Sequence, residues 1–174
     1  MVSTAAVGTA STRSPFRHAG VMRAEVEALL DSYGGVVTRH QLTRTLPVHV
    51  IDDALASRVL VRIFPSTYTT PDLLTEPSVR HRGAVRYAGG NAALSHLSGL
   101  WGWALPVPTP YVVHMTVHRR CRLRHASGLV VHHRAGFRAE PPYAVMRDGL
   151  LVVRLERCLV DSWPLLPQPS DVHP

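Results

Sequence analysis

The sequence contains no lysine; all nineteen of its basic residues are arginine. Isoleucine is nearly absent too, with only Ile51 and Ile63. A skew of this kind points to a GC-rich coding bias, so the choice of Arg over Lys carries no functional information. There are two cysteines, Cys121 and Cys158, far apart and in no metal-ligand spacing. They provide no disulfide framework, as suits a reducing cytoplasm. No run of about 18 apolar residues is present, which argues against a membrane-spanning helix. The first twenty residues are rich in Ser, Thr and Ala and lack an apolar core segment, which argues against a secretory signal. No internal repeat is evident.

The 45% apolar content is ordinary for a globular chain and excludes wholesale disorder. A length of 174 residues suffices for one medium domain or two small ones. The net charge of +7 favours an acidic partner such as nucleic acid. Its distribution is uneven. Residues 1–76 hold seven Arg and seven acids, whereas residues 77–174 hold twelve Arg and five acids, and so carry the whole surplus.

Local patterns divide the chain. Residues 1–21 read as a disordered arm. From Met22 to Tyr33, Val26, Leu29, Leu30 and Tyr33 recur at helical spacing, and Gly34-Gly35 stops that helix. After an extended link at Val36-Val37, Thr38-Arg39-His40-Gln41 fits a capping box. A third helix follows from about Val48, with Val50, Ile51, Ala54 and Leu55 inward and His49, Asp52, Asp53, Ala56 and Ser57 outward. Val59 to Ile63 alternates like a strand, Pro65-Ser66 reads as a turn, and Thr67 to Thr70 as the returning strand. Residues 71–77 read as a linker. Beyond it, helices are expected over Val79–Ala88 and Ala92–Trp103. Strands are expected over Tyr111–His118 and Leu129–His133, joined by a basic hairpin turn. A second hairpin is expected around Arg147-Asp148-Gly149, then a short helix over Arg154–Trp163 and a loose Pro-rich tail over 164–174. The expected fold class is α+β: a winged helix-turn-helix over 22–70, then a mixed domain of helices and antiparallel strands over 78–163.

Three short helices followed by a hairpin suit DNA reading. The third helix can enter the major groove, about 12 Å wide, while the second crosses the backbone and the hairpin lies along neighbouring phosphates. A helical domain used for protein contacts would show the same periodicity.

The run GGVVTRHQL, with the later LASRVLVRIFPSTY, resembles the N-terminal winged helix of AbiEi-type antitoxins of type IV toxin–antitoxin systems. ALSHLSGLWGW, VVHMTVHRR, GLVVHHR and LERCLVDSW resemble the region after that domain, in the family's order, so the similarity spans roughly residues 22–163. It implies a DNA-binding regulator that represses its own operon and opposes a nucleotidyltransferase-like toxin without needing to bind it. Two departures stand out. Family members usually have glycine ahead of the wing's first strand and in its turn, where Arg58 and Phe64-Pro65 stand here. They often have arginine on the outer face of the third helix, where Asp52 and Asp53 stand here. Carboxylates beside phosphate repel. In the first turn of a helix they would instead favour its dipole, by about 0.3–1 kcal/mol each. They can also accept a hydrogen bond from cytosine N4.

The segment from His114 to Arg138 contains Arg119, Arg120, Arg122, Arg124, Arg134 and Arg138 with five interleaved histidines and no acid. It could track a phosphate backbone, dock an acidic protein, or form a solvated loop. His114 and His118 share a strand face, but no Cys or carboxylate cluster completes a tetrahedral set, so no metal or other cofactor is expected. Ser95-His96 is not expected to act as a nucleophile–base pair, because adjacent helical residues do not face each other. No G-x-S-x-G elbow is present, and Trp101 and Trp103 read as core. The expectation is a non-enzymatic, cytoplasmic regulator of duplex DNA. Arg39, His40 and Arg44 would contact phosphate, and His49, Asp52, Asp53 and Ser57 would face bases. Arg62, Ser66 and Thr67 would serve the wing, and Arg119, Arg120, Arg122 and Arg124 would supply charge. The rivals are a protein-interaction module and, behind it, a nuclease-related fragment.

Overall fold

The computed structural model describes residues 15–108 and 111–166, with side chains from residue 23 onward. The first fourteen residues of the expected arm, residues 109–110 and the tail from 167 lie outside the described residues. The chain is α+β, and no helix among the described residues is long and apolar enough to cross a membrane.

Helix α1 spans Pro15–Ser32. It therefore begins inside the expected arm, and proline, with φ already fixed near the helical value and no amide to pair, suits that first turn. Gly34 and Gly35, at φ 64° and 83°, end it. Strand β1 (Val37–Thr38) leads into α2 (Arg39–Thr45) through the expected capping box. The Gln41 amide donates to Thr38 Oγ1, and the Thr38 amide donates to Gln41 Oε1. A cap of this kind is worth about 1 kcal/mol. Helix α3 (Val48–Ala56) buries Ile51 and Ala54. Strands β2 (Val61–Phe64) and β3 (Thr67–Thr69) close a three-stranded antiparallel sheet in the order β1-β3-β2. Val26, Leu30, Val37, Leu42, Ile51, Leu60 and Tyr68 form the core of this unit.

The expected linker is not a loose tether. Two turns carry the chain from Pro71 to Glu76, and Leu73 and Val79 close over Gly35. Helix α4 (Pro77–Tyr87) then serves both halves. Gly83 lies against Ile63 and Phe64 of β2, while Ala84 and Ala88 join the core of the second sheet. The Arg82 guanidinium donates to the Gly34 carbonyl at 3.0 Å.

The single helix expected over Ala92–Trp103 is instead strand β4 (Ala92–Leu94) and helix α5 (His96–Gly102). Ala92–Leu94 occupies the centre of a five-stranded sheet, and pairing on both sides overrides the helical preference of alanine. The other strands are β5 (Val113–His118), β6 (Leu129–Arg134), β7 (Ala144–Arg147) and β8 (Leu150–Val153), in the order β6-β5-β4-β8-β7. The sheet is mixed, not antiparallel throughout. β4 runs parallel to β8, and β5 parallel to β6 with Val113 opposite Leu129. The basic segment between β5 and β6 is therefore a crossover and not a hairpin turn, because parallel neighbours cannot be joined by one. Asp148-Gly149, both at positive φ, make the expected tight turn between β7 and β8. Helix α6 (Leu155–Ser162) and a 3₁₀ turn (Trp163–Leu165) complete the described chain.

Side chains alternate across the second sheet. Leu94, Val113, Met115, Val117, Leu129 and Val152 meet α4 on one face. Ala93, Ala144 and Val153 meet α5 and α6 on the other, with Leu100 and Cys158. Gly99 of α5 lies against Cys158 of α6 so closely that a Cβ there would strike the sulfur.

Candidate functional site

The outer face of α3 stands clear of the core: His49, Asp52, Asp53, Ala56 and Ser57 are all exposed. Two further features shape it. The Arg39 guanidinium at the start of α2 lies 3.3 Å from the Asp52 carboxylate, so one acid of this face is already partnered. The Ser57 hydroxyl donates to the Asp53 carbonyl at 2.7 Å, beyond the last helical residue. Neither aspartate lies in the first turn of α3, so the dipole account of their presence does not apply. His40 and Arg44 on α2 are exposed.

The β2–β3 hairpin is short. Phe64 pairs with Thr67 across Pro65-Ser66, and the Arg39 amide donates to the Ser66 carbonyl at 2.8 Å, tying the hairpin tip to α2. Arg62 and Ser66 are exposed, but Thr67 is buried, its backbone paired to Thr38 and its hydroxyl donating to the Pro65 carbonyl. Thr67 therefore does not belong to a contact surface; it sits between two strands where a wing tip would have left it in solvent. Arg58, where the resemblance leads to an expectation of glycine, takes the glycine-like φ of 58°, and Ser66 takes 56°. The left-handed residues survive without the glycines, at the usual cost of about 1–2 kcal/mol per residue.

Arg119, Arg120, Arg122 and Arg124 are all exposed on the crossover. Cys121, Leu123 and Ala126 alternate with them and pack on the core beside α4. The Tyr87 hydroxyl donates to the Arg124 carbonyl at 2.8 Å, and the same ring stacks on Phe64 of β2, 6.3 Å between centroids. A line of contacts thus runs from Asp52 on α3 through Arg39 and the hairpin to Tyr87 and the arginine-bearing crossover. Arg120 and Arg138 also line an open cleft with His118, at the C-terminal end of β5.

Trp101 and Trp103 are half-buried and pack against the core. Trp101 stacks on buried His81 at 4.3 Å, and the Trp103 indole donates to the Val153 carbonyl. Ser95 and His96 depart from expectation. Ser95 precedes α5 in extended conformation and His96 has φ 51°, so the two side chains do meet, with Ser95 Oγ 3.0 Å from His96 Nδ1. Ser95 is fully buried.

His96 also lies beside two other histidines. Its ring stacks on His132 at 3.7 Å, and His132 Nε2 is 3.0 Å from His114 Nδ1. Spacing along the sequence could not reveal this trio, because the parallel pairing of β5 and β6 brings His114 and His132 together. Burial holds all three rings below the usual histidine range, His96 to about 4, with His132 adding to the effect on His96 and His114. No protein-family model matches this chain, and no curated protein matches it.

Proposed function

We propose that residues 22–70 form a winged helix-turn-helix that reads duplex DNA through the outer face of α3, and that the protein is an autorepressor. The observation that carries this reading is the arrangement over 37–69: strand, helix, helix and hairpin in the sheet order β1-β3-β2, with His49, Asp52, Asp53 and Ser57 together on one exposed face. A helix with its inner face in a core and its outer face free is what major-groove docking requires. Arg44 and His40 supply phosphate contacts from α2, and Arg62 and Ser66 from the hairpin. The arginine crossover, joined to the hairpin through Tyr87, supplies the charge that the neutral N-terminal half lacks.

The resemblance to AbiEi-type antitoxins extends the proposal. The repressed operon would be the protein's own, and the opposed toxin a nucleotidyltransferase-like protein met through no obligatory contact. The test is a mobility-shift assay on the duplex upstream of the reading frame, with His49→Ala and Ser57→Ala combined in a second sample. Selectivity for that duplex should fall in the variant while weak binding to any duplex survives. Unchanged selectivity would mean that α3 does not read bases.

A further inference from the structure

Three imidazoles from three different elements converge on the α5–α6 face of the second sheet. His114 is on β5, His132 on its parallel edge neighbour β6, and His96 opens α5. One nitrogen of each lies within 4.8 Å of one nitrogen of the other two. We propose that His96, His114 and His132 form a binding site for a divalent transition metal of the zinc class, with Ser95 orienting the His96 ring. This inference is independent of the DNA reading.

The ligand chemistry selects the metal class. Three neutral nitrogen donors suit zinc, cobalt, nickel or copper, whereas magnesium and calcium demand oxygen. Two ligand nitrogens on a tetrahedral ion with bonds of about 2.0–2.1 Å stand about 3.3 Å apart. The 3.0 Å between His114 Nδ1 and His132 Nε2 is close to that separation. The two rings sit on adjacent strands of a rigid sheet, so this half of the site is in place. His96 stacks on His132 at 3.7 Å, so the proposal requires its ring to tilt about the side-chain torsions to aim a nitrogen at the same centre. Several bonds prepare it. Ser95 Oγ lies 3.0 Å from Nδ1, and by accepting the Nδ1 proton it would leave the Nε2 lone pair to ligate, as outer partners of ligating histidines do. The Ser95 amide donates to the His114 carbonyl, and the His114 amide donates to Ser98 Oγ, pinning the start of α5 over β5. The left-handed backbone of His96 is a local strain of the kind that clusters at functional sites.

The charged surroundings are balanced. Asp161 on α6 acts on both His96 and His132 and attracts a cation, while Arg157, bound to Asp161 at 2.7 Å, also acts on His96. The 3.0 Å contact between His114 and His132 keeps a proton on one of its two nitrogens, so binding of a cation shifts or releases that proton.

The test uses the full chain without an affinity tag. Cobalt(II) titration, followed by visible absorption, should saturate at one equivalent with the bands of a low-coordinate nitrogen site, and zinc should displace it. Magnesium should neither bind nor compete. His132→Asn, on the edge strand, should weaken cobalt binding at least tenfold, and His96→Asn likewise. Ser95→Ala should weaken it by roughly tenfold to a hundredfold, as loss of an outer partner does. His133→Asn, exposed on the same strand, should leave it unchanged. Thermal unfolding should shift upward with zinc in the parent and not in His132→Asn. Absence of a stoichiometric cobalt spectrum would overturn the proposal. So would binding that persists in both His96→Asn and His132→Asn with folding intact by circular dichroism, because the ions would then be on surface histidines.

Discussion

Arg39 at the start of α2 and Asp52 on α3 face each other, guanidinium to carboxylate at 3.3 Å, with both side chains open to solvent. A pair this exposed contributes little to stability, between zero and about 1 kcal/mol. Its consequence lies in binding. In the proposed DNA reading, Asp52 occupies the Arg39 guanidinium, and its own charge repels phosphate.

Asp52→Asn combined with Asp53→Asn should therefore tighten binding to every duplex. Freeing Arg39 for a phosphate should steepen the salt dependence by about 0.9 units of log K per log salt. If one aspartate accepts from cytosine, selectivity should also relax at one base pair, by about 1–3 kcal/mol. A salt titration of parent and variant on two duplexes measures both. Unchanged affinity, slope and selectivity would mean that this helix does not approach DNA.

The crossover permits a cleaner separation of charge from reading. Its arginines point to solvent while Cys121, Leu123 and Ala126 anchor it, so the arginines can be removed without disturbing the core. Replacing Arg119, Arg120, Arg122 and Arg124 with Ala should flatten the salt slope by up to about 3.6 units if all four touch phosphate. Preference for the cognate duplex should survive. An unchanged slope would assign the crossover to an acidic protein partner instead.

His81 makes stability sensitive to acid. It is buried in α4, stacks on Trp101 and donates from Nδ1 to the Pro77 carbonyl, while its Nε2 meets no partner among the described residues. Burial, the largest cause, lowers it from 6.5 to about 4. The folded state therefore binds its proton less readily than the unfolded chain. The stabilisation is complete above pH 6.5 and is lost as pH falls toward 4, by about 3 kcal/mol at most. Urea unfolding of the parent and of His81→Gln across pH 7 to 4 tests this. The variant should begin less stable and lose less with acid; parallel pH profiles would refute the assignment.

The local elements of the N-terminal half were legible because their causes are local. Thr38 and Gln41 are three residues apart, Gly34-Gly35 adjoins the helix it ends, and the outward residues of α3 follow from helical period alone. Non-local pairing was not legible. Ala92–Leu94 reads as helix until β5 and β8 are known to flank it, and the sense of β5 against β6 leaves no mark in either strand. Thr67 carries the composition of an exposed hairpin, and only its pairing with Thr38 buries it. The histidine trio was hidden for the same reason, since three segments meet there through the sheet order.

The most direct measurement of DNA reading is the affinity of the full chain for the duplex upstream of its own reading frame, set against a scrambled duplex of equal length at the same physiological salt. Specific readers bind their sites more tightly than random duplex by on the order of a thousandfold or more. That ratio is the predicted result. Equal affinity for the two duplexes would contradict it.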